Sequence, residues 1–130
     1  SSLFETVEKI SSLGKKIIIV YPVPEVGWHV PTVVTRNKLL NRSTDNLSTS
    51  YDVFLDRASK SYEILDSIKK DDVIRIYPEE IFCNSFMENR CVAYIDDNLF
   101  YGDDDHLSVL GARILSEQIK NEIVYNPEND

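Results

Sequence analysis

Leu3, Phe4, Val7, Ile10 and Leu13 recur at helical spacing, which predicts a first helix. Ser2-x-x-Glu5 offers a capping box at its start, and Gly14 a stop. The period then changes. Lys15-Lys16-Ile-Ile-Ile-Val-Tyr21 is a short continuous apolar run, the pattern of a parallel strand covered on both faces. Pro22 and Pro24 end it, and residues 22–31 read as a long structured loop leaving the strand's carboxyl end. In open α/β sheets that edge is where ligands bind. Residues 41–50 are a polar loop rich in Asn, Ser and Thr, whose sequons at Asn41 and Asn46 would matter only in a eukaryotic secretory route.

Tyr51, Phe54, Leu55, Ala58, Tyr62, Leu65 and Ile68 keep one apolar face through a second helix, and Lys69-Lys70 suits its negative end. Asp71-Asp72 turns the chain into a second buried strand over residues 73–77, stopped by Pro78. Residues 90–94 and 99–101 predict a short hairpin around Asp96-Asp97-Asn98. A last helix is expected over residues 107–124, with Leu110, Ile114, Leu115, Ile119 and Ile123 inward. Gly111 and Ala112 would let it approach the sheet closely. The order α-β-loop-α-β-hairpin-α fits a parallel α/β sheet. Two core strands are too few for an independent three-layer domain, so the chain reads as the C-terminal part of a larger unit. It contains neither a repeat nor a low-complexity segment.

The chain has 130 residues, 42% hydrophobic and 28% charged, ordinary globular values. A net charge of −8 argues against nucleic-acid phosphates or anionic lipid as the main partner. No apolar run approaches the roughly 18 to 20 residues of a membrane span. There is no signal-peptide pattern and no initiator Met, so Ser1 is expected to be a processing boundary.

The chemistry concentrates in Tyr101-Gly-Asp-Asp-Asp-His-Leu-Ser-Val-Leu-Gly111. Asp103 and His106 stand three apart, a separation that a loop before a helix can fold back on itself. The carboxylate can then accept the Nδ1–H of the imidazole and leave Nε2 as a base. A charge-paired surface histidine is the plainer account of the same residues. The clustered aspartates also invite a divalent ion, but the EF-hand register fails, because Tyr101 stands where Gly is needed and no Glu closes the loop. No metal and no cofactor are expected. Ser108 reads as the N-cap of the last helix rather than a nucleophile. Glu25, Trp28 and His29 offer a carboxylate, an aromatic platform and an imidazole to a sugar or acyl ligand, although Trp28 could equally pack the loop down and His29 lie on the surface. Cys83 and Cys91 have no zinc-ligand spacing around them, and spacing alone leaves a disulfide and two free buried thiols equally open.

Tyr21-Pro-Val-Pro-Glu-Val-Gly-Trp28, Ile76-Tyr-Pro-Glu79, Cys83 with Cys91, and Tyr101-Gly-Asp-Asp-Asp-His-Leu-Ser-Val-Leu-Gly-Ala112 follow in this order. Together they resemble the extracytoplasmic SGNH domain fused behind the membrane acyltransferase-3 domain in bacterial O-acetyltransferases of surface polysaccharide. The resemblance spans nearly the whole chain and is most specific in the D-D-D-H-L-S-x-x-G-A block. It implies a flavodoxin-like, three-layer αβα SGNH-hydrolase fold, with residues 1–130 as its C-terminal half. The family is named for a Ser in a Gly-Asp-Ser block, an oxyanion Gly, an oxyanion Asn, and the His of D-x-x-H. Only the last block occurs here, giving His106 the role of base and Asp103 that of orienter; no Gly-Asp-Ser occurs in these residues.

The resemblance also favours a Cys83–Cys91 disulfide, since the family's soluble domain faces the periplasm or cell exterior. It implies a parent anchored in the bacterial inner membrane, an acetyl donor delivered by that parent's membrane domain, and a cell-envelope glycan as acceptor. These residues alone are expected to be inactive and prone to self-association. The competing class is a non-catalytic extracytoplasmic module that binds glycan or a partner.

Overall fold

The computed structural model describes residues 2–124. Helix α1 spans Leu3–Ser12 and starts at the expected capping box: Glu5 N–H donates to Ser2 Oγ at 3.3 Å, and Ser2 N–H to Glu5 Oε2 at 2.9 Å. It stops where Gly14 takes a φ of +66°, with Gly14 N–H bonded to Ser11 O and Lys15 N–H to Ile10 O. That pair of bonds satisfies carbonyls the helix end would otherwise orphan. Strand β1 (Ile17–Val20) follows, then α2 (Val30–Leu39), β2 (Leu47–Ser50) and α3 (Tyr51–Asp66). Strand β3 (Val73–Ile76), the single turn α4 (Glu79–Phe82), β4 (Arg90–Ile95), β5 (Asn98–Leu99) and α5 (Val109–Val124) complete the order.

The strands form two sheets. β1 and β3 pair in parallel, with Ile17 opposite Val73 and Val20 opposite Ile76. β2, β4 and β5 make an antiparallel sheet in that order. Helices with a parallel and an antiparallel sheet place the chain in the α/β class its pattern predicts. One buried cluster, including Val26, Val30, Val34, Phe82, Ala93, Phe100 and Tyr101, joins α2 and the loop before it to the β4–β5 hairpin. A second gathers Val7, Ile17, Ile19, Tyr21 and Ile68 around the parallel pair. Phe54 and Ala58 of α3 pack on the two cysteines in a third.

Several expectations need correction. The loop after β1 ends at His29, not Pro31: Val30 already begins α2, with Pro31 in its first turn. Proline breaks helix interiors but suits the first turn, where its missing N–H would have no helical partner. Residues 41–50 are not all loop, since Leu47–Ser50 form β2 against β4. Asn41 and Asn46 have φ of +50° and +59°, conformations asparagine tolerates better than most residues, which accounts for them in plain backbone terms. The hairpin turn is the pair Asp96-Asp97, both with positive φ, as a two-residue primed turn requires. Leu55 is 41% and Ile123 52% exposed, so neither faces a core within the described residues.

Candidate active site

The segment after β5 is built on two anchors. Tyr101 is fully buried and bridges to Leu107 across the loop, while Gly102 N–H donates to His106 O at 2.8 Å. On the far side Ser108 caps α5. Its Oγ accepts from Gly111 N–H at 3.1 Å and donates to Leu99 O at 2.6 Å. Both capacities of that hydroxyl are committed to backbone, which disposes of Ser108 as a nucleophile. Gly111 is the only fully buried residue of α5. A Cβ there would stand 2.3 Å from the Phe100 carbonyl oxygen, so the helix can sit this close to the hairpin only with glycine.

Between the anchors the chain turns around Asp103. Its Oδ1 accepts the backbone N–H groups of Asp105 at 3.0 Å and His106 at 2.6 Å. Its Oδ2 lies 2.9 Å from His106 Nδ1. One carboxylate thus fixes both the turn and the ring. Asp105 adds a second carboxylate oxygen 2.8 Å from the same Nδ1. With anionic oxygens on both sides, Nδ1 is the protonated nitrogen, and both ring contacts run through it, leaving Nε2 to the outside. The His106 side chain is 78% exposed.

The electrostatics follow from these contacts. Backbone donors from His106 and Asp105, then the imidazole itself, hold the Asp103 carboxyl well below the usual carboxylate range. The hydrogen bond to Asp103, reinforced by its charge and those of Asp105 and Asp104, raises His106 above the ordinary imidazole value. Ligand atoms of Asp103, Asp105 and His106 lie within 4.8 Å of one another. In this arrangement Asp103 holds the ring by a hydrogen bond and Asp105 adds an ion-pair contact. Nδ1 is at hydrogen-bond length from both carboxylates, and Asp103 Oδ1 is already taken by two N–H groups.

The loop leaving the carboxyl end of β1 docks on this turn. Val26 N–H donates to Asp104 O at 2.8 Å and Val30 N–H to Asp103 O at 3.2 Å. Gly27 has a φ of +81°, and the Arg57 guanidinium lies 3.1 Å from where its Cβ would be. The two segments that the sequence marks as chemical are therefore in contact through backbone.

Their side chains fare differently. Trp28 is half-buried against the core, so its ring holds the loop down. His29 is exposed and caps α2, its Nδ1 accepting Thr32 N–H at 3.3 Å. That leaves the neutral ring's proton on Nε2, the reverse of His106. Glu25 is exposed. Cys83 and Cys91 form a disulfide across an antiparallel bridge, as the resemblance implied.

Sequence reasoning missed the contribution of Asp105, whose only signal was its place beside His106 in an acidic run. It also missed Arg57, for which α3's pattern gave none. A family model described as "SGNH domain (fused to AT3 domains)" matches residues 1–121. No curated protein and no solved structure matches the chain.

Proposed function

The chain belongs to the family of SGNH domains fused to AT3 domains, and on that premise we propose that Asp103 and His106 form the orienter and base of an acyl-transfer site. The observation that carries this reading is the ring geometry: Nδ1–H bound to Asp103 at 2.9 Å, and Nε2 outside on a side chain 78% exposed. The reaction is transfer of an acetyl group to hydroxyls of a cell-envelope polysaccharide. A serine from outside these 130 residues attacks the acetyl donor while His106 Nε2 takes its proton. His106 returns that proton to the leaving group as the acyl-serine forms. It then deprotonates the acceptor hydroxyl, which attacks the acyl carbon and regenerates the serine. Asp103 stabilises the imidazolium in each half-reaction.

The donor is delivered by the membrane domain of the parent protein, and the acceptor approaches over the β1–α2 loop, past the exposed Glu25 and His29. An extracytoplasmic position accords with the Cys83–Cys91 disulfide.

The test is acetylation of the envelope glycan by the intact parent protein and its variants. His106→Ala should lower transfer by about 100-fold or more, the typical contribution of a general base. Asp103→Asn should be milder but still severe. Unchanged acetylation in His106→Ala, with the protein present at normal level, would leave these residues as a binding module.

A further inference from the structure

The D-x-x-H pattern assigns one carboxylate to the histidine, but the turn delivers two. His106 Nδ1 lies 2.9 Å from Asp103 Oδ2 and 2.8 Å from Asp105 Oδ1. The two side chains reach the nitrogen from different places in the turn. Asp103 is tied down by its bonds to two backbone N–H groups, whereas the side chain of Asp105 has no such tether. From this geometry we infer that Asp105 is a second positioning residue, an ion-pair partner that flanks His106 Nδ1 beside its hydrogen bond to Asp103. The inference rests on the reading of His106 as the base.

The second contact has two physical consequences. A ring held from two sides has less freedom to rotate about its Cβ–Cγ bond than one held from one, so Nε2 stays aimed. The imidazolium that forms when Nε2 takes a proton meets two anions in direct contact, which spreads its stabilisation over both. The charges acting on His106 are those of Asp103, Asp105 and Asp104. Glu25 and His29 stand on the neighbouring loop, so a test must separate direct contact from the general field.

Asp104 provides that separation, because it carries the same charge one residue away and its carbonyl, not its carboxylate, is the bonded group. The experiment is nitrogen-15 NMR of the histidine rings in the intact parent protein, with His106→Ala to assign the signal, following titration midpoint and tautomer. Asp105→Asn should lower the His106 midpoint more than Asp104→Asn does. Asp105→Glu should restore part of the loss. Asp103→Asn combined with Asp105→Asn should lower the midpoint below either single variant and release the Nδ1–H tautomer.

An Asp105→Asn shift no larger than that of Asp104→Asn would overturn the inference, since Asp105 would then contribute only to the field. So would a double variant that behaves as Asp103→Asn alone. If Asp105→Asn disturbs the amide spectrum beyond the loop, Asp105→Ser is measured against the same Asp104→Asn control. Ring titration requires no turnover, so failure here is distinct from failure of the acyl-transfer reading, which the glycan assay reports.

Discussion

Neighbouring carboxylates raise the proton affinity of His106, and this fixes the sign of two pH effects. Its folded-state proton affinity is above the ordinary imidazole value of about 6.5. The stability it contributes is therefore fully present below that value and is lost as pH rises through the folded midpoint. Asp103 runs oppositely: its carboxyl is depressed, so its contribution is present above the usual carboxylate range and lost as pH falls through the folded value. Catalysis needs the neutral base, so acyl transfer should rise with pH, with an acidic limb displaced above about 6.5. Added salt should move that limb back down, because the His106 side chain is 78% exposed. A profile of kcat/KM against pH checks this, and a limb at or below the free imidazole value would mean the contacts with the aspartates do not persist in solution. The D-x-x-H spacing made the pairing of Asp103 with His106 legible in the sequence. Spacing could not show which of three consecutive aspartates would also turn inward, because side-chain direction in a tight turn is set by backbone dihedrals that only the folded loop reveals.

Elements were legible where a stripe of apolar residues or a cap marked them. α1, β1, α3, β3, the hairpin and α5 all follow such signals. α2 did not, because it buries only Val30 and Val34 and leaves Leu39 78% exposed, so its apolar residues form no continuous inward stripe. β2 offers a single apolar residue, Leu47, and exists because β4 supplies a ladder to pair with. The close seating of α5 yields a sharp expectation. Gly111→Ala puts a methyl 2.3 Å from the Phe100 carbonyl oxygen, a backbone atom that cannot swing aside, with the Leu107 side chain 3.1 Å away. The helix must shift, at a cost of about 1–3 kcal/mol, typical of overpacking. Thermal or urea unfolding of the variant measures this. Since Ser108 and the dyad turn hang between the hairpin and α5, activity should fall with stability. The disulfide belongs to the same scale. Closing so short a loop restricts the unfolded chain by about 2–3 kcal/mol on the loop-entropy account. Alkylation without reductant, followed by intact mass, should leave both cysteines unmodified; two added groups would refute the bond.

At the scale of the molecule, the site exists because two segments far apart in sequence meet. The loop of Val26 and Val30 bonds to the carbonyls of Asp104 and Asp103, a contact that no local pattern encodes. What the sequence did indicate was a shortage of sheet, and the structure makes that concrete. β1 and β3 pair only with each other among the described strands, so each keeps an unpaired edge. Val20 is 42% exposed on one face of that pair, and Leu3, Phe4 and Leu13 of the first helix region are 44%, 46% and 66% exposed. Apolar surface beside open strand edges is a template for pairing with another chain. The 130-residue chain in isolation should therefore associate as its concentration rises, which sedimentation velocity over a dilution series would reveal; a monomer at every concentration would show that the edges are adequately protected. The isolated chain should also be inert. Acyl transfer needs a nucleophile within hydrogen-bond reach of the base and donors for the oxyanion, and the hydroxyl nearest His106 in sequence, Ser108, is bonded to Leu99 O and Gly111 N–H. An activated acetyl ester offered to the isolated chain, beside the intact parent and a His106→Ala control, should be hydrolysed only by the parent. Turnover by the isolated chain that vanishes with His106→Ala would mean that a working nucleophile lies within these residues after all.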